Sequence, residues 1–123
     1  MTILERFKKY IAFDTVSDEN SNTYPSTPTQ IEFGKMLVQD LKELGVEEAY
    51  QDDNHVVYAF IDNKKDKTIG LISHMDTAPT IEGGIKHPRL IEKYDGKDIV
   101  LNSTYTMKVE DFPVLNTVVG DDL

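Results

Sequence analysis

The most informative stretch for chemistry is Leu71-Ile72-Ser73-His74-Met75-Asp76-Thr77-Ala78-Pro79. It carries an apolar run into an imidazole and a carboxylate two residues apart, then into a proline-bearing loop. In an extended segment, residues i and i+2 point to the same side, so His74 and Asp76 face one way and Met75 the other. Neutral imidazole is the commonest metal ligand. A ligating imidazole usually donates its other N–H to a carboxylate, which fixes tautomer and ring orientation. The pair therefore suits a metal-bound His74 oriented by Asp76. The plain alternative is a hydrogen-bonded histidine at a strand end, and the tripeptide alone leaves both open.

Other residues of the right types are poorly placed. Ser73, His74 and Asp76 have the side chains of a hydrolase triad, but neighbours on a strand point to opposite faces, and no Gly-x-Ser-x-Gly elbow is present. His55 follows Asp52-Asp53-Asn54 and reads as a turn or surface histidine, and His87 precedes Pro88 in a loop. Asp121-Asp122 reads as a solvated acidic pair. Glu82-Gly83-Gly84 has no following helix or Lys-Ser/Thr to make a phosphate cradle.

The elements that must position His74 can be read from periodicity. Ile3, Leu4, Phe7, Tyr10 and Ile11 recur at helical spacing, which predicts a short amphipathic helix over Ile3 to Phe13. Asp14 to Pro28 is a Ser/Asn/Thr/Asp/Pro-rich loop. A second helix starts at Thr27 as N-cap, with Pro28 at its first position and Gln30 completing a capping box. Phe33, Leu37, Leu41 and Leu44 form its stripe, and Gly45 stops it. Val46 to Gln51 reads as a weak strand. The runs Val56 to Ile61 and Ile69 to Ile72 read as strands without alternation, hence buried on both faces, with Asp62 to Lys67 as the polar turn between them. Leu90-Ile91 and Ile99-Val100-Leu101 read as short strands around a turn at Asp95-Gly96. Helices before and strands after imply an α/β layer architecture. Open α/β sheets place their ligands just beyond the carboxyl ends of strands, where His74 falls.

Composition excludes several classes. The 123 residues carry 13 Lys+Arg against 22 Asp+Glu, a net charge of −9, which is the wrong sign for a phosphate-binding surface. The cluster Lys64, Lys65 and Lys67 lies among Asp62, Asn63 and Asp66 and reads as a solvated turn, so no nucleic-acid partner is expected. No apolar run approaches the ~20 residues of a bilayer span, so no membrane partner is expected either. Zero cysteines rule out a disulfide framework and fit a cytoplasmic location.

The string Ile72-Ser73-His74-Met75-Asp76-Thr77-Ala78-Pro79 resembles the His-x-Asp signature of the di-zinc amino- and carboxypeptidase family. Its members include aminoacylases, carboxypeptidases, dipeptidases and tripeptide aminopeptidases. The tripeptide aminopeptidase branch is resembled in further places. These are Arg6-Phe7 through Tyr10, Asp14-Thr15 with Ser17, Pro25-Ser26-Thr27 with Gln30, Pro88 to Leu101, and Phe112-Pro113-Val114-Leu115. The resemblance runs over essentially the whole chain. It implies that His74 ligates one of two zinc ions, and that Asp76 orients that site and assists catalysis. The family's remaining residues are a bridging Asp in a Gly-Ala-Asp-Asp-Lys-like motif, a Glu base beside a Glu ligand, a further Asp and a distant His. Gly120-Asp121-Asp122 lacks the Lys of that motif and follows Phe112-Pro113 too closely, so Asp121 and Asp122 are not read as the ligands.

The expectation is a three-layer α/β fold with a mixed sheet and flanking helices, residues 1–123 being the N-terminal portion of a zinc peptidase catalytic domain. A chain closing on Gly120-Asp121-Asp122-Leu123 reads as cut rather than finished. The parent would be a zinc-dependent tripeptide aminopeptidase acting on short peptides. This chain alone would be inactive, holding at most one ion weakly, and would self-associate through the surface left open. The alternatives are a dipeptidase or deacylase of the same family, and a short non-catalytic binding module on the same scaffold.

Overall fold

The computed structural model describes residues 1–62, 64–80 and 82–123, in two separately compact units, Met1–His87 and Pro88–Leu123. In the first unit, helix α1 is Ile3–Ile11. Its start is fixed by a capping box. The Glu5 N–H donates to Thr2 Oγ1 at 3.2 Å, and the Thr2 N–H donates to the Glu5 carboxylate at 2.6 Å. Helix α2, Pro28–Glu43, begins at Thr27 with Pro28 at its first position, as its sequence predicts. The capping box expected there is absent: the Thr27 side chain caps nothing, and its hydroxyl donates to the Val16 carbonyl at 3.2 Å. Gln30 turns away to buried loop carbonyls, whose demand for donors outweighs that of the solvated helix end.

Gly45 ends α2 at φ +90°. Its N–H donates to the Lys42 carbonyl at 2.9 Å and the Val46 N–H to that of Leu41 at 3.0 Å, the paired bonds of a Schellman stop. From there the chain enters an antiparallel hairpin, β1 (Glu48–Gln51) and β2 (Val57–Phe60), with Tyr50 opposite Tyr58 and their rings stacked at 5.4 Å. The turn is organised by Asp52, whose carboxylate accepts the Asn54 and Val56 N–H groups at 3.0 and 2.8 Å. One hairpin face packs on α2 across Gly34. A Cβ at Gly34 would sit 2.2 Å from Gln51 Nε2, so glycine permits the close approach. Phe33 is buried, with Tyr10 edge-on to it at 5.8 Å and Phe13 tilted at 5.3 Å. Asp40 is 2 % exposed and anchors α1 to α2 through Lys9 Nζ and, at 3.5 Å, Arg6.

Two strand expectations are corrected. The run Val56 to Ile61 does contain β2, but it is not buried on both faces: Tyr58 and Phe60 are exposed, because α2 covers only the other side of the hairpin, and Ile61, past the end of β2, is exposed as well. Ile69 to Ile72 forms no strand, and Ile69, Leu71 and Ile72 are exposed. A strand needs a neighbour for its backbone groups. Among the described residues the first bridge after this stretch comes only at Thr77, which pairs with Val16 in parallel. The expected Asp62–Lys67 turn includes Asn63, which lies outside the described residues. Within the rest of that turn, the Asp62 carboxylate accepts the Lys64 N–H at 2.8 Å and pairs with its ammonium at 3.0 Å. On the α2 stripe Leu37 and Leu41 are half-buried and Leu44 is exposed.

The second unit is built on Tyr94, Ile99 and Leu115, with Ile91, Met107, Val109 and Val118 packed around them. Strand β3 (Ile99–Val100) pairs with β4 (Thr106–Met107), and a 3-10 helix spans Pro113–Thr117. Leu90-Ile91 does not pair with Ile99 to Leu101 as expected. Ile91 instead exchanges two backbone hydrogen bonds with Leu123, at 2.8 and 2.9 Å. The turn at Asp95-Gly96 is present, and its Gly96 has φ +82°.

Candidate functional site

The structure brings His74 and Asp76 together: His74 Nδ1 lies 3.1 Å from Asp76 Oδ1. An ionised carboxylate only accepts hydrogen bonds, so in the neutral imidazole this contact is satisfied by the tautomer that carries its proton on Nδ1. This is the arrangement of a metal-ready imidazole with its orienting carboxylate. Both side chains are accessible, at 82 % for His74 and 49 % for Asp76. The segment is held from behind by backbone. The Thr77 N–H donates to the Thr15 carbonyl at 3.1 Å, and the Ser17 N–H to the Thr77 carbonyl at 3.0 Å. Ser17 Oγ also donates to the same Thr77 carbonyl, at 3.2 Å.

A cavity of about 550 Å³ opens beside the pair. Ser73, His74, Met75 and Asp76 form one side of its lining. Leu37 and Gln30 come from α2, His55, Val56 and Val57 from the hairpin, and Tyr24, Pro25 and Ser26 from the loop before α2. The volume is that of a small-molecule site, and the lining mixes apolar walls with a few polar groups. Sequence reasoning missed His55 as a cavity residue. The only local signal was its place in a polar turn, where it adopts φ +63° and its N–H donates to the Asp52 carbonyl at 2.9 Å. It also missed Tyr24, which nothing in the sequence marks.

Ser73 does not serve the imidazole, since its hydroxyl donates to the His74 backbone carbonyl at 3.4 Å. The Asp121 carbonyl accepts the Tyr94 N–H at 2.8 Å and the Asp122 carboxylate accepts the Lys93 N–H at 2.9 Å, so both brace a turn in the second unit. Glu82 and Gly83 line a shallow depression with Asp14 and Val16, and Ile81 lies outside the described residues.

As a donor set for zinc, His74 Nε2 would supply one nitrogen and Asp76 the partner that orients it. A catalytic zinc takes three protein ligands. Among the described residues no three His, Asp or Glu side chains are grouped closely enough to hold a metal ion. The pair fits one corner of a metal site and does not complete it, so no catalytic step is derived through the ion.

No family model matches the chain. Comparison with curated proteins gives peptidases. Peptidase T of Clostridium botulinum (strain 657 / Type Ba4) is 44% identical over 98% of this chain. Peptidase T of Clostridium acetobutylicum is likewise 44% identical, and that of Geobacillus sp. (strain WCH70) 45%, each again over 98% of the chain. The resemblance recognised in the motifs therefore extends to a similarity to peptidase T over 98% of the chain. The chain spans 31% of the length of these relatives. No helix among the described residues is long and apolar enough to cross a membrane.

Proposed function

We propose that this chain contributes the His74–Asp76 corner to the active site of a zinc-dependent tripeptide aminopeptidase, and that it is inactive by itself. The observation that carries the reading is the coincidence of two independent facts. The chain is 44% identical to peptidase T over 98% of its length, and its His-x-Asp pair is in contact at 3.1 Å on the wall of a cavity. In this reading the hairpin and helices belong to a three-layer catalytic domain with a mixed sheet, completed by residues beyond the 31% of the relatives that the chain spans. Zinc, when bound, supplies Lewis-acid activation of the peptide carbonyl and of water. The chain's own part is to present His74 Nε2 unprotonated, with Asp76 holding the proton on Nδ1. The incomplete donor set is the ground for inactivity and for weak binding of a single ion at most. The absence of cysteine supports a cytoplasmic setting, and the exposed apolar run Ile69 to Ile72 supports self-association of the chain on its own.

A chimera tests the reading: this chain replaces the matching segment of the Clostridium acetobutylicum peptidase T. The expected result is chelator-sensitive release of the N-terminal residue from tripeptides, restored by zinc, with no activity from the chain alone. His74→Ala should abolish activity and lower bound zinc. Asp76→Ala should cost about 10–100-fold in activity with less metal loss, the range for a partner that orients a ligand. A folded, zinc-loaded chimera that spares tripeptides would overturn the proposal, and cleavage of dipeptides alone would move the assignment to a dipeptidase.

A further inference from the structure

The His74–Asp76 pair is too exposed to hold its own geometry, because accessible ion pairs contribute little and compete with solvent. Something behind it must fix the backbone. Thr77 follows Asp76 directly, and its N–H donates to the carbonyl of Thr15 at 3.1 Å. That carbonyl has a second donor, the side-chain amide of Gln30, at 3.2 Å. Gln30 Nε2 also lies 3.5 Å from the Val16 carbonyl and 3.3 Å from Ser26 Oγ. Val16 is the residue that bridges Thr77 in parallel. Gln30 is 5 % exposed and Thr15 4 %, so this cluster is shielded where the His–Asp pair is not. A buried amide aimed at loop carbonyls costs several times more to strand than an exposed one, which makes the cluster stiff.

We propose that Gln30 is a positioning residue for the candidate site: its amide locks the Thr15–Val16 carbonyls, and these lock Thr77 and so the His74–Asp76 pair. Helix α2, the most regular element of the first unit, thereby carries the register of the site segment into the cavity that Gln30 itself helps to line. The chemistry of the site rests on the peptidase reading, but the clamp does not depend on metal or substrate.

The test is made on the 123-residue chain. Gln30→Met keeps the side chain's length and removes its donors, and Gln30→Ala removes both. Two readouts are needed: the tautomer of His74 from the nitrogen resonances of its ring, with His87 as the loop reference, and amide exchange at Thr77, with Tyr58 in β2, opposite Tyr50, as the control. In the unaltered chain His74 should be biased towards the Nδ1–H tautomer relative to His87. Gln30→Met should abolish that bias and speed Thr77 exchange about three- to tenfold, the range one lost hydrogen bond carries, while Tyr58 exchange stays unchanged. If Gln30→Ala fails to fold, the Met variant and its Tyr58 control still decide. A His74 bias and Thr77 protection that persist in Gln30→Met would overturn the proposal, as would an unaltered chain without any His74 bias. Failure of the peptidase reading shows separately, in the zinc content and tripeptide activity of the chimera.

Discussion

Asp40 is the residue with the most at stake electrostatically. Burial pushes its carboxyl towards the neutral form, yet the hydrogen bond from Lys9 and the charges of Lys9 and Arg6 outweigh burial and hold it below its ordinary value of 3.8. A depressed carboxylate favours the folded state above the unfolded pKa, and that contribution is lost as pH falls through the folded value. The first unit should therefore lose stability below about pH 4. Asp40→Asn should flatten that acid limb and cost about 1.5–3 kcal/mol at neutral pH, the scale of a charge-assisted hydrogen bond. Denaturant melts of both proteins from pH 2 to 7 check this, and an Asn variant with the same acid limb would assign the loss to other carboxylates. His74 and Asp76 have the opposite character: they are exposed, loosely paired and free to meet a partner. The structural charge is buried between helices, whereas the two groups of the candidate site stand open on a loop segment, where binding and catalytic groups are commonly carried.

At the scale of elements, the end of α2 is the sharpest device in the first unit. Gly45 sits at φ +90° with open space where a Cβ would go, so a side chain there is opposed by backbone conformation alone. Gly45→Ala should cost about 1 kcal/mol, the penalty of a left-handed L-residue, whereas Gly45→Asn should cost less because Asn tolerates that region. Equal melting temperatures for the Ala and Gly proteins would show that the Schellman bonds do not limit stability. This stop was legible in the sequence, as were both helices, β1 and β2, because periodicity and caps are local signals. The contact of His74 with Asp76 was legible too, since i and i+2 share a side in an extended chain. What was not legible depended on partners distant in sequence. Gln30 has the spacing of a capping residue, and only the arrival of Thr15 and Val16 redirects its amide. Leu90-Ile91 reads as a strand, but its partner is Leu123 rather than the nearer apolar run. Ile69 to Ile72 has strand composition, and composition alone does not provide a neighbouring strand.

For the whole molecule the governing fact is how little apolar surface is buried. Among the described residues of the first unit the buried apolar side chains are Phe33 and Ala49, while Phe60 and Ile61 before the polar turn and Ile69, Leu71 and Ile72 after it stand exposed. The hairpin is a two-stranded sheet, and isolated pairs of strands are marginal in water because both edges stay open to further pairing. Against association stands the charge of −9, which makes like copies repel. That repulsion is screened over about 8–10 Å at 0.1–0.15 M salt, whereas apolar contact between exposed runs is not weakened by salt. Self-association should therefore strengthen as ionic strength rises, the reverse of an assembly held by ion pairs. Sedimentation equilibrium across a concentration series at low and high salt reads this directly: the weight-average mass should climb with both variables. Leu71→Asp with Ile72→Lys should return the chain to a monomer without disturbing α2, β1 or β2, because neither residue belongs to an element. A chain that stays monomeric at high salt and unfolds in one cooperative transition would mean that its few buried residues suffice. The exposed run would then be tolerated surface rather than a face awaiting a partner.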